Sequence, residues 1–140
     1  MDLAAVSDRL EIEALLTRYT RAIDTGEWDR LDAVFTPDAE IDYTATGGIA
    51  ASYPAVKSWL AEMLPIFPRR LHTLGQVDSR VEGDAATVAA YFHNPMILPE
   101  QDGTERIVEF GGIYHHDLVR TPDGWRSRRL VEELVWKRGM

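Results

Sequence analysis

The sequence contains no cysteine, which excludes disulfides, thiolate nucleophiles and cysteine-based zinc sites and suits a reducing compartment. It also lacks any apolar run approaching the roughly 18 residues that a membrane span needs. The opening MDLAAVSDRLEIE has neither the basic start nor the apolar centre of a signal peptide. A cytoplasmic protein with no membrane partner is expected. Basic residues are few: 15 Lys and Arg stand against 23 Asp and Glu, a net charge of −8. Nucleic acid is therefore not an expected partner, because phosphate contacts require a basic face. The one basic cluster, Arg126, Arg128 and Arg129, is followed at once by Glu132 and Glu133, and it reads as an ion-paired strand exterior. Absent too are a G-x-S-x-G elbow, a P-loop, a dinucleotide fingerprint and an H-E-x-x-H pair. His115 and His116 are adjacent, so on a strand they face opposite ways and cannot share a metal. No metal and no cofactor are implied.

What is present is an ordinary globular composition, 45% hydrophobic and 27% charged over 140 residues, which fits one domain spanning residues 1–140. From Ser7 the apolar positions Ile12, Leu15, Leu16, Tyr19, Ala22 and Ile23 recur at helical spacing. Asp8 with Glu11 resembles a capping box. A first helix over Ser7 to Thr25 is predicted, stopped by Gly26. A second, short helix carries Trp28, Leu31, Val34 and Phe35 and ends before Thr36-Pro37-Asp38. A strand over about Ala39 to Thr44, a loop at Gly47-Gly48 and a third helix from Ala55 to Leu64, closed by Pro65 and Pro68, complete the front half.

Beyond Arg70 the segments Leu71 to Glu82, Ala85 to Leu98, Arg106 to Arg120 and Trp125 to Trp136 are rich in β-branched and aromatic residues. Glu82-Gly83-Asp84 and Thr121-Pro122-Asp123-Gly124 look like hairpin turns, and Gly111-Gly112 marks a bend or bulge within a strand. Helices in front and long strands behind predict an α+β domain with helices on one face of a curved antiparallel sheet. In AATVAAYFHNPMIL both alternating sets are substantially apolar, so the second sheet face is expected to meet another chain, as in a homodimer.

Tyr19 on an apolar stripe and Asp24 in a last helical turn raise a question, since polar groups entering an interior need partners or a task. A carboxylate at a helix C-terminus is also opposed by the macrodipole. The element order, with RYTRAIDTGEWDRLDAVFTPDAEIDY near the start and DGWR before the last strand, resembles the nuclear transport factor 2-like superfamily. Within it, the chain is similar to the SnoaL-like and scytalone dehydratase-like proteins, from roughly Ala5 to Trp136. The resemblance implies a cone-shaped, curved antiparallel (mixed) sheet with three N-terminal helices enclosing a pocket.

The same resemblance implies site residues. Asp24, in AIDTGEW, falls where the dehydratases carry the aspartate of an Asp-His pair, and His72, in RRLHTLG, falls on its histidine. Tyr19 and Tyr43 match tyrosines that serve carbonyl oxygens in these families. Tyr43 also occupies the position of the ketosteroid isomerases' catalytic aspartate, which argues against that route of proton abstraction. His115 lies by register near a substrate-contacting asparagine, and Trp59 and Phe92 are expected to contact substrate. The second histidine of scytalone dehydratase has no counterpart; His93 and His116 read as structural. The implied chemistry is cofactor-free acid-base work on a small hydrophobic organic ligand, with dehydration of a cyclic or polyketide-like hydroxy-carbonyl compound foremost. Isomerisation, cyclisation and hydrogen halide elimination use the same groups, and a non-catalytic binding domain would keep the pocket without needing the Asp24-His72 bond.

Overall fold

Helix α1 runs from Leu3 to Thr25 and buries Ile12, Leu15, Leu16, Tyr19, Ala22 and Ile23, the stripe its periodicity marks out. Its start lies earlier than Ser7. Asp2 is the cap, its carboxylate accepting from the Ala5 N–H at 2.8 Å. Asp8, inside the helix, instead accepts from Arg120 at 2.8 Å and the Trp125 indole at 3.1 Å, tying α1 to the sheet. Gly26 ends the helix in the left-handed conformation, φ 72°.

The computed structural model describes every residue from Met1 to Met140. After α1 come a 3-10 helix, Trp28–Ala33, and strand β1, Phe35–Asp42. The strand therefore begins earlier than Ala39, and the second helix is 3-10 rather than α. Phe35 already pairs with Ser127, and the register slips between Phe35 and Glu40. Such an irregularity accommodates Pro37, which has no N–H for a ladder. A 3-10 turn at Thr44–Thr46, strand β2 at Ala50–Ser52 and helix α2 at Tyr53–Met63 follow, and a 3-10 turn at Leu64–Ile66 continues α2.

The strand predicted over Leu71 to Glu82 is β4, which starts at Thr73 (Thr73–Glu82), and a two-residue strand β3 (Arg69–Arg70) precedes it. Both pair antiparallel with β5, Ala85–Pro99. At the break Leu71 donates to the Pro95 carbonyl at 3.1 Å, while Pro95 has no N–H to return. Hydrogen-bonding alternation turns the next amide, that of His72, away from β5 at the open edge of the sheet. Strands β6 (Glu105–Thr121) and β7 (Gly124–Arg138) form the other long hairpin.

The seven-stranded sheet runs β2-β1-β7-β6-β5-β3, with β4 also on β5. It is mixed, since β1 and β7 are parallel and the other pairs antiparallel. At Gly111-Gly112 the register against β7 slips, Gly111 facing Trp136 and Gly112 facing Leu134. A Cβ on Gly112 would lie 1.9 Å from the Glu133 carbonyl oxygen, and one on Gly111 would lie 2.0 Å from the Trp136 ring. The two glycines let β7 bulge against β6. The core fills the concave side: α1 and α2 against Val88, Ala90, Phe92, Val108, Tyr114, Leu118, Trp125 and Leu130.

Candidate active site

Two elements place the Asp24-His72 pair. The last turn of α1 aims Asp24 at the β3-β4 break, where the chain presents His72. The carboxylate accepts twice from that one residue: from the backbone N–H to Oδ2 at 2.8 Å, and from Nδ1–H to Oδ1 at 2.6 Å. The macrodipole's opposition to Asp24 is answered locally. Arg70 donates to the Ile23 carbonyl at 2.8 Å and to the Phe67 carbonyl at 3.0 Å, satisfying helix-end oxygens. Both side chains are well covered, 4% exposed for His72 and 12% for Asp24. With Nδ1–H donating, His72 has Nε2 as its basic nitrogen.

His72 lines a cavity of about 190 Å³ between the helices and the sheet. Its walls are mostly apolar: Ile23, Leu60, Met63, Leu64, Phe67, Met96 and Phe110, with Trp59 from α2. Gly47 and Gly48 edge it, and a Cβ on Gly48 would sit 2.8 Å from the Tyr43 Cβ and 2.9 Å from Trp59. Tyr19 and Tyr43 share a 2.5 Å hydrogen bond between their hydroxyls and both line the cavity. Burial drives both phenols, and that of Tyr114, well above the ordinary tyrosine range. They are therefore neutral donors at all physiological pH.

Of the expected site residues, His72, Tyr19, Tyr43 and Trp59 line this cavity, and Asp24 stands behind His72. Phe92 does not line it. It stacks behind Tyr114, ring centroids 4.1 Å apart, and fixes that wall. His115 is a correction: strand alternation turns it to the outer face, where Nε2–H donates to Glu133 at 2.7 Å. His93 also lies outside the cavity, donating to Glu109 at 3.1 Å. His116 is buried against Ser127, its Nδ1 2.8 Å from the hydroxyl. Burial drives its pKa down to about 3, which keeps it neutral.

The structure adds lining residues that pattern reading passed over: Tyr114, Asn94, Thr46 and Glu132. Glu132 was expected on an ion-paired exterior. It instead sits opposite Tyr114 in the β6-β7 ladder, and Thr46 donates to its Oε1 at 2.5 Å. Arg126, Arg128 and Arg129 make no ion pair with it; Arg126 bonds the Trp125 carbonyl. The signal was there, because Glu132 alternates with the apolar Leu130 and Leu134, an inward register. No three His, Asp or Glu side chains converge in a metal-binding group.

A helix-capped, curved mixed sheet closing over an apolar cavity with a few convergent polar groups is the fold of nuclear transport factor 2-like structures. More narrowly, the chain belongs to the SnoaL-like domain family, which matches residues 4–131. An uncharacterised protein of Mycobacterium tuberculosis is 47% identical over 141 residues, covering 100% of this chain and 94% of the relative. A probable cyclase of Gibberella zeae is 25% identical over 138 residues, covering 90% of this chain and 91% of the relative. Among solved structures, a Kribbella flavida protein superposes with TM-score 0.87 at 26% identity, covering 96% of this chain and 95% of that one. A candidate scytalone dehydratase of Novosphingobium aromaticivorans superposes with TM-score 0.85 at 19% identity, covering 97% and 89%.

Proposed function

We propose that the protein is a cofactor-free acid-base lyase, a dehydratase acting on a small, largely hydrophobic cyclic or polyketide-like hydroxy-carbonyl compound. The observation that carries this reading is the pair of hydrogen bonds from His72 to Asp24, with the imidazole presented to an apolar cavity. Asp24 fixes the tautomer and favours the imidazolium, so Nε2 takes the proton from the carbon beside the carbonyl. In the hydroxyl pair of Tyr19 and Tyr43 one proton is held in their mutual bond, and the other donates to the carbonyl oxygen as enolate charge builds. Collapse of the enolate expels hydroxide from the β-carbon, which leaves as water with the proton that His72 returns. Cyclisation is the second reading, favoured by the Gibberella zeae relative; it begins with the same proton abstraction.

The test is turnover on a panel of cyclic β-hydroxy ketones, read by the ultraviolet absorption of the conjugated enone. His72→Gln is expected to lower kcat by about 10²–10⁴-fold, with KM little changed. Asp24→Asn should fall in the same direction, and the double variant should be little worse than His72→Gln alone. A near wild-type rate in His72→Gln would remove the base assignment. Absence of turnover across the panel, with binding retained, would leave a ligand-binding domain.

We also propose that the protein is a homodimer joined through the outer sheet face. That face exposes Tyr91 and Ile107, and Val135 and Trp136 are exposed on β7.

A further inference from the structure

Glu132 is the one acidic side chain lining the cavity of the proposed acid-base site, and no Lys or Arg side chain lines it. Its neighbours come from every element packed around it. Tyr114 faces it from β6, Tyr43 and Asp42 from the end of β1, Tyr19 from α1 and Thr46 from the 3-10 turn, while His72 shares the cavity from the β3-β4 break. Two of the chemically distinct neighbours, the phenols and Thr46, offer hydroxyls; Asp42 offers like charge; none offers a permanent cation. Across the cavity Asn94 is buried, and its Oδ1 has no partner.

We infer that Glu132 is a specificity-determining hydrogen-bond donor, present as the neutral carboxylic acid, which selects an uncharged ligand with an acceptor oxygen and rejects carboxylates and phosphates. This rests on the same pocket as the proposed lyase reading and narrows its substrate class. An anion entering the cavity would be desolvated with no Lys or Arg to compensate it, and His72 is already paired with the Asp24 carboxylate, so the cost is several kcal/mol by general estimates. A ketone, an alcohol or an amide loses less water and gains a donor. Burial, reinforced by Asp42 and opposed by the Thr46 hydroxyl, raises the Glu132 pKa to about 7, so the donor form predominates below neutrality and is lost above it. Thr46 also lies 3.3 Å from the Tyr43 carbonyl oxygen. It can therefore accept from Glu132 and pass its own proton to that carbonyl, or donate to Oε1 and leave the acid proton for a ligand. Size follows as well: an apolar cavity of roughly 150 Å³ holds one benzene, and about 190 Å³ here suits one substituted ring.

The test uses acetophenone, which does not titrate, and benzoate, its anionic counterpart in size, with binding followed by isothermal titration and by ligand-observed NMR. Acetophenone is expected to bind the wild-type protein and to weaken about tenfold between pH 6 and pH 8, the loss that follows when only the protonated form is competent. Benzoate is expected to bind at least about tenfold more weakly than acetophenone at pH 7. Glu132→Gln keeps an amide donor and should bind acetophenone with no such pH dependence, while His72→Gln should retain it, which separates this inference from the base assignment. Carbon-13 labelling of the glutamate carboxyls supplies a readout independent of ligand: one resonance titrating near neutrality, missing in Glu132→Gln. A flat acetophenone profile in the wild type, no binding of acetophenone, benzoate binding equally well, or a Glu132 carboxyl titrating in the ordinary range would each overturn the inference.

Discussion

At the residue scale, the buried polar groups divide into those that hold the fold and those that face the cavity. His116 belongs to the first set. Ser127 donates to the Arg129 carbonyl at 3.1 Å, so its oxygen accepts from His116 Nδ1–H, and His116 Nε2 is left buried and unpaired. Its folded-state pKa of about 3 lies below the ordinary histidine value. The unfolded chain therefore binds the extra proton as pH falls through 6.5 toward 3, and stability is lost across that window. His116→Asn keeps a donor for Ser127 and cannot charge. Its destabilisation at pH 7 is expected to shrink by up to about 3 kcal/mol by pH 4, measured by urea unfolding at both pH values; an unchanged difference would contradict the neutral assignment. Asp24 and His72 belong to the second set, and sequence reading singled them out through family resemblance and the unfavourable placement of Asp24. Glu132 was legible only in its alternation with Leu130 and Leu134. The charge run around it pointed the other way.

At the scale of elements, what was readable followed from local rules and what was not depended on partners distant in sequence. The stripe of α1, the hairpin turns and the glycine pair of β6 follow from periodicity, turn chemistry and close approach. The start of α1 was misplaced because Asp8 and Glu11 mimic a cap while Asp2 supplies it, and Asp8 is used by Arg120 and Trp125, more than 100 residues away. The early start of β1 depends on pairing with β7, which no pattern within FTPD reveals. The most consequential element is the β3-β4 break. With the Leu71 amide bonded to Pro95, alternation aims the His72 amide outward from the sheet edge, where the Asp24 carboxylate accepts it. His115 shows the converse: it was expected to contact substrate, but strand alternation places it on the outer face.

At the scale of the whole molecule, the curved sheet has one side filled by helices and core and the other open. The alternation of β5 is clean in burial, with Ala86, Val88, Ala90, Phe92, Asn94 and Met96 inside, yet its outward set is still substantially apolar. If that face joins two copies, sedimentation equilibrium should report a dimer, and Tyr91→Glu with Val135→Glu should shift it to a folded monomer. A wild-type monomer at high micromolar concentration would contradict the interface. The central claim, however, concerns one hydrogen bond and the nitrogen it leaves free. Nitrogen-15 NMR of labelled histidine measures this directly, through the tautomer of His72 in the wild type and in Asp24→Asn. The expected result is that the neutral imidazole form of His72 carries its proton on Nδ1, with Nε2 unprotonated, and loses that fixed tautomer when Asp24 becomes Asn. A proton on Nε2 in the wild type, or a tautomer indifferent to Asp24→Asn, would contradict it.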